Sequence, residues 1–241
     1  LLLLVAATVG AAMVSPWPGV YLVRFIFDRG ALSASEKLEK HVPAGVETTT
    51  VSYDDSDGDA MLDIYRLPDA KADTPTIVWV HGGGFVSGGR QDVANYLKVL
   101  AGEGFTVVNV DYTIAPNGIY PTPVRQLSKA LDFLSQESER LKINPSRLVL
   151  AGDSAGAQIA AQTAAIISDP GYAKLVGITP ATKPDQLAGV LLFCGVYDIG
   201  QMGKGGGMLG WFVNVTGWAY SGKRNWRDDG TAATQQAPAF D

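Results

Sequence analysis

Soft ligands are nearly missing from this chain: one cysteine, Cys194, and two histidines, His41 and His81, in 241 residues. A lone cysteine closes no internal disulfide, and this set is too small for a structural zinc site, so no metal is expected. Charge is sparse as well. Charged residues make up 18% of the chain, and 24 acids against 19 bases leave a net charge of −5. That balance lacks the basic footprint of a nucleic-acid binder, and nucleic acid is excluded as a partner. An apolar content of 46% is too high for disorder, and the 28 glycines and 13 prolines follow no collagen period. What remains is one large globular domain whose chemistry must come from oxygen nucleophiles, carboxylates and the two histidines.

No charge occurs before Arg24, and the chain opens on Leu1-Leu2-Leu3-Leu4 without an initiator Met. The expectation is of a sequence clipped at its front. As a helix, Leu1 to Val14 would reach about 21 Å, short of the roughly 30 Å hydrocarbon core of a bilayer. Ser15-Pro16-Trp17-Pro18 then interrupts it, and Trp17, Tyr21, Arg24 and Arg29 suit a membrane boundary. Residues 1–23 read as an apolar anchor or a signal segment, with a buried helix as the third reading. Membrane anchoring or export through this segment is expected, with a cytoplasmic protein as the alternative.

Residues 24–45 read as an N-terminal cap or linker, including a short helix over Ser33 to Lys40. Two half-polar runs, Val46 to Tyr53 and Met61 to Leu67, flank the acidic turn Asp54 to Asp59 and predict an antiparallel hairpin. From Thr76 on, short apolar runs alternate with amphipathic ones. The apolar runs are Thr76 to Val80, Phe105 to Tyr112, Leu148 to Gly152 and Leu187 to Cys194. The helical ones are Val93/Tyr96/Leu97/Leu100, Val124/Leu127/Leu131/Leu134 and Gly156 to about Ile167. Buried strands alternating with helices predict an α/β fold, a mostly parallel sheet with helices on both faces, over residues 46–199. Pro170 to Gln186 reads as a polar loop. Residues 200–241, rich in glycine and in the aromatics Trp211, Phe212, Trp218, Tyr220 and Trp226, lack clear periodicity and read as a partial cap over an apolar site.

Two motifs carry chemistry. Gly152-Asp153-Ser154-Ala155-Gly156 lies between an apolar strand and a small-residue helix, the strand-turn-helix context that a G-x-S-x-G nucleophile turn requires. Side chains at the flanking glycines would collide in so sharp a turn, which marks Ser154 as the nucleophile, with Asp153 beside it in a supporting role. His81-Gly82-Gly83-Gly84-Phe85 follows the strand Thr76 to Val80. There the N–H groups of Gly82 and Gly83, with that of Ala155, are candidates for an oxyanion hole. His81 reads as a loop-shaping residue rather than a base, and His41 as a solvated surface residue.

Together these motifs resemble the hormone-sensitive-lipase-like carboxylesterase branch of the α/β-hydrolase superfamily, over roughly residues 46 to 200. Asp111-Tyr112-Thr113-Ile114-Ala115-Pro116 is similar to that branch's D-Y-x-x-A-P segment, and Tyr120-Pro121 and Asn144-Pro145 fall where similar elements stand. The resemblance implies an α/β-hydrolase fold and a serine hydrolase that cleaves small carboxylic esters through an acyl-enzyme, without a cofactor. It also implies a mobile N-terminal cap beside the site.

The chain departs from that pattern in one respect. Such hydrolases order their triad Ser, then Asp or Glu, then His, and no histidine follows Ser154. The expectation is that the core is incomplete, with the triad acid and histidine beyond residue 241, and that these 241 residues alone are inactive. The alternative is a catalytically inactive small-molecule-binding protein on the same fold. Asp198 reads as structural, Asp228 and Asp229 as loop charges, and Cys194 as a small core residue. Gly205 to Gly210 fits G-x-G-x-x-G but lacks a preceding strand, so it does not point to a dinucleotide site.

Overall fold

The computed structural model describes residues 8, 10–71, 73–197 and 206–227. A helix α1, Trp17–Leu38, precedes six strands: β1 Glu47–Ser52, β2 Met61–Arg66, β3 Thr76–Val80, β4 Thr106–Val110, β5 Leu148–Asp153 and β6 Leu187–Phe193. Between them lie α2 Arg90–Gly102, α3 Thr122–Gln136, α4 Ser138–Leu141, α5 Ala155–Ser168 and α6 Pro170–Val176. Helix α7, Gly207–Ser221, follows the sheet.

The strands lie in the order β1-β2-β4-β3-β5-β6. β1 pairs β2 antiparallel in the register Glu47↔Arg66, and β2 pairs β4 antiparallel, whereas β4, β3, β5 and β6 run parallel. Strand periodicity of two decides what each face buries. Ile77 and Trp79 of β3 pack with Leu97 and Ala101 of α2, while Val78 and Val80 join Leu127 and Leu131 of α3 and Ile159 of α5 on the other face. The mixed sheet with helices on both faces is the α/β-hydrolase fold expected from the sequence.

Three elements differ from the sequence reading. Pro16 caps α1 and Pro18 sits in its first turn, where a missing N–H costs nothing. The prolines therefore end one helical segment and start another, and the boundary expected at 23/24 falls inside α1. The stretch Pro170 to Gln186 is not all loop: Asp169 accepts from the Gly171 N–H at 2.7 Å and starts α6. The tail contains α7, whose glycines and scattered aromatics hide its period. Gly217 leaves room there for the Trp226 ring, which a Cβ would strike.

Candidate active site

β3 and β5 are paired neighbours, with Val80 opposite Gly152, so the two motifs leave the sheet side by side at its carboxyl end. The chain after β3 turns to α2 on one face and the chain after β5 to α5 on the other. This divergence opens the crevice in which α/β sheets bind ligands.

At the end of β5, Ser154 takes φ 51° and ψ −114°, a conformation costly for any residue with a side chain. Its N–H is held by the Phe193 carbonyl of β6 at 2.8 Å. The turn closes because Gly152 and Gly156 lack side chains: a Cβ at Gly156 would collide with the Val80 carbonyl oxygen, and one at Gly152 would come within 2.7 Å of it. Ser154 lines two cavities, and its hydroxyl has no hydrogen-bond partner among the described residues. One cavity, about 50 Å³, is apolar and lined by Phe85, Phe212, Val213, Tyr220 and Trp226. The other, about 290 Å³, is lined by His81, Asp92, Asp153 and, from α1, Phe27 and Asp28.

Asp153 joins the two motifs. Its Oδ1 accepts from the Gly82 N–H at 3.1 Å and from the Trp79 Nε1–H at 3.3 Å. Burial pushes its carboxyl above the usual carboxylate range, opposed by His81 and by these two hydrogen bonds. Burial raises Asp92 as well, with Asp28 and Asp111 adding repulsion.

Gly82 is therefore placed differently from the sequence expectation, because its N–H already serves Asp153. Among the described residues the N–H groups of Gly83, Gly84 and Ala155 donate to no acceptor, and Gly84 shares the apolar cavity with Ser154. Gly84 was not singled out from the sequence; a Cβ there would meet the Phe212 ring at 2.8 Å, and nothing in H-G-G-G says which glycine N–H is occupied.

His81 is buried, and its ring stacks on Tyr112 at 4.4 Å. Its Nδ1 donates to the Gly82 carbonyl at 2.8 Å, and Nε2 faces Asp111 Oδ1 at 3.6 Å. Arg90 in turn bridges Asp111 and Asp63, each at 2.5 Å. This geometry gives His81 the part of a brace inside the loop. His41 lies exposed at the end of a 3₁₀ turn, Glu39–His41, that follows α1. Cys194 is exposed with φ 45°, unlike the core position expected of it. A left-handed residue just past an edge strand has no layer to cover it. Asp198, Asp228, Asp229 and Gly205 lie outside the described residues. No group of three or more His, Cys, Asp or Glu among the described residues is arranged to hold a metal ion.

The fold and the strained serine between paired strand ends define a protein of the α/β-hydrolase class. The model of the BD-FAE family matches residues 62–209, more than half of the chain, and the chain belongs to that family. Among solved structures it is similar to an inhibited esterase B from Lactobacillus rhamnosis, with a TM-score of 0.75 and 23% identity over 89% of this chain and 70% of that one. It is likewise similar to the hyperthermophilic esterase of the archaeon Pyrobaculum calidifontis, with a TM-score of 0.66 and 24% identity over 92% and 70% of the two chains. A bacterial heroin esterase is 30% identical, with a TM-score of 0.50, over 66% of this chain and 50% of that one.

Proposed function

We propose that this chain is the nucleophile-bearing core of a serine carboxylic ester hydrolase of the hormone-sensitive-lipase-like kind. The observation that carries the reading is the strained Ser154, set against an apolar cavity and flanked by the unengaged N–H groups of Gly83, Gly84 and Ala155. In this reading Ser154 Oγ attacks the ester carbonyl carbon, and the carbonyl oxygen becomes an oxyanion received by those N–H groups. Collapse expels the alcohol and leaves an acyl-serine, which water then hydrolyses. One such donor is worth about 3 kcal/mol in the transition state. The name esterase, borne by the three similar structures, supports the substrate class.

The serine proton needs an acceptor, and no histidine follows Ser154 in these 241 residues. We therefore expect the 241-residue chain on its own to show no more than the residual catalysis of an oxyanion hole and a binding site, about 10³ to 10⁴ over water. The same observation favours a second reading, a small-molecule binder on this fold. Hydrolysis of p-nitrophenyl butyrate by the natural protein, compared with its Ser154→Ala variant, separates the two. The hydrolase reading predicts a loss on the order of 10⁶ in kcat on substitution. A natural protein that binds the ester but leaves it intact supports the binder.

We also propose that the N-terminal apolar segment associates with a membrane. Helix α1 turns Tyr21, Leu22, Phe25 and Ile26 outward, which supports surface attachment. No helix among the described residues is long and apolar enough to cross a bilayer, and residues 1–7 and 9 of the expected anchor lie outside them.

A further inference from the structure

We infer that Arg24, on α1, is a positioning residue that holds the oxyanion loop in its strained form. Three consecutive residues of that loop have positive φ: Gly83 at 110°, Gly84 at 60° and Phe85 at 66°. Phe85 carries a side chain in this region, so the conformation persists only because its surroundings impose it. Inside the loop, the Val86 and Ser87 N–H groups close on the Gly83 carbonyl at 3.2 and 3.0 Å. From outside, the Ala115 N–H donates to the Phe85 carbonyl at 2.7 Å and ties the loop to the segment after β4.

Arg24 locks that tie. Its Nε donates to the Val86 carbonyl at 2.6 Å and its Nη2 to the Ala115 carbonyl at 3.0 Å, so one planar guanidinium bridges Ala115 and the residue that follows Phe85, flanking the Ala115–Phe85 bond. Val86 and Ala115 are fully buried with Arg24 in place, and an apolar replacement takes the charged donor from both carbonyls. The guanidinium forms no ion pair among the described residues and lies over the Trp17 ring, 5.5 Å from its centroid. A lysine offers a compact point charge and cannot reproduce two fixed, diverging donors. Beyond Arg24, Asp28 receives the Gly88 N–H at 3.4 Å, Ser35 donates to Gln91 at 3.2 Å, and Asn95 donates to Ser35 at 3.0 Å. These contacts hold α1 on the domain when Arg24 is replaced, so the variant is expected to fold.

The loop's ordering is read by hydrogen exchange, and its catalytic effect, which rests on the ester hydrolase reading, by steady-state kinetics. Both use the natural protein and its Arg24→Met and Arg24→Lys variants. Exchange at the Val86, Ser87 and Ala115 amides is expected to quicken about tenfold or more in both variants while α3 stays protected. With p-nitrophenyl butyrate, kcat is expected to fall about 10 to 100-fold with KM little changed, since misplaced donors weaken the transition state and spare ground-state binding. Unchanged exchange at the three amides, equal acceleration in α3, a raised KM at constant kcat, or full rescue by lysine would each overturn the assignment. A wild type without ester hydrolysis defeats the functional reading alone, and the exchange comparison still decides the role of Arg24.

Discussion

Asp153 shows how one side chain apportions the site. By taking the Gly82 N–H it leaves those of Gly83, Gly84 and Ala155 as the N–H groups beside Ser154 with no acceptor among the described residues, and it does so as a carboxylate that burial makes costly to ionise. Because its folded pKa stands above the ordinary value of 3.8, the folded protein binds more protons than the unfolded one between those two values. Stability therefore falls as pH rises through that window and stays lower above it. Asparagine keeps an oxygen for both donors and removes the charge. Urea unfolding of Asp153→Asn is expected to give a higher midpoint than wild type at neutral pH, an advantage that shrinks as pH falls through the window and vanishes below 3.8. A lower midpoint at neutral pH would show that the attraction of His81 outweighs desolvation. This apportioning lay beyond sequence reading: Gly82 and Asp153 are 71 positions apart, and only the pairing of β3 with β5 brings them together.

Elements with one dominant signal were readable, and those with two competing signals were not. The runs at Thr76, Phe105 and Leu148 became β3 to β5 because a strand buried on both faces has no other pattern to show, and the equally apolar run at Leu187 became the edge strand β6. Helix α1 carries two prolines at its start, which read as a break and act as a cap. Helix α7 is hydrophobic nearly all round, with Gly217 against the Trp226 ring and Val215 against Gly19 of α1, so its apolar residues show no single buried stripe. The two edges of the sheet differ in the same physical sense. β1 presents Thr48, Thr49 and Thr50, polar and exposed, whereas β6 leaves Val190, Leu191 and Phe193 each more than 40% exposed. An apolar edge strand invites pairing with another chain. The 241-residue chain is expected to self-associate in sedimentation, and Val190→Lys to shift it toward monomer without lowering its melting temperature. Association indifferent to that lysine would place the contact elsewhere, on the outer face of α1.

At the scale of the whole molecule, the sheet positions the two motifs and the two helices outside it enclose them. β3 and β5 set the His81–Phe85 loop and the Ser154 turn at adjacent strand ends. α1 and α7 then meet across them, through the Phe27–Phe212 stack at 5.3 Å, and wall the two cavities that Ser154 lines. The central claim is that Ser154 is a nucleophile rather than a loop serine. Intact-mass spectrometry of the natural protein after treatment with a fluorophosphonate, followed by peptide mapping, tests it most directly. The account predicts one adduct per chain, on Ser154, and none on Ser154→Ala. An adduct on another residue, or a natural protein that stays unlabelled, would contradict it.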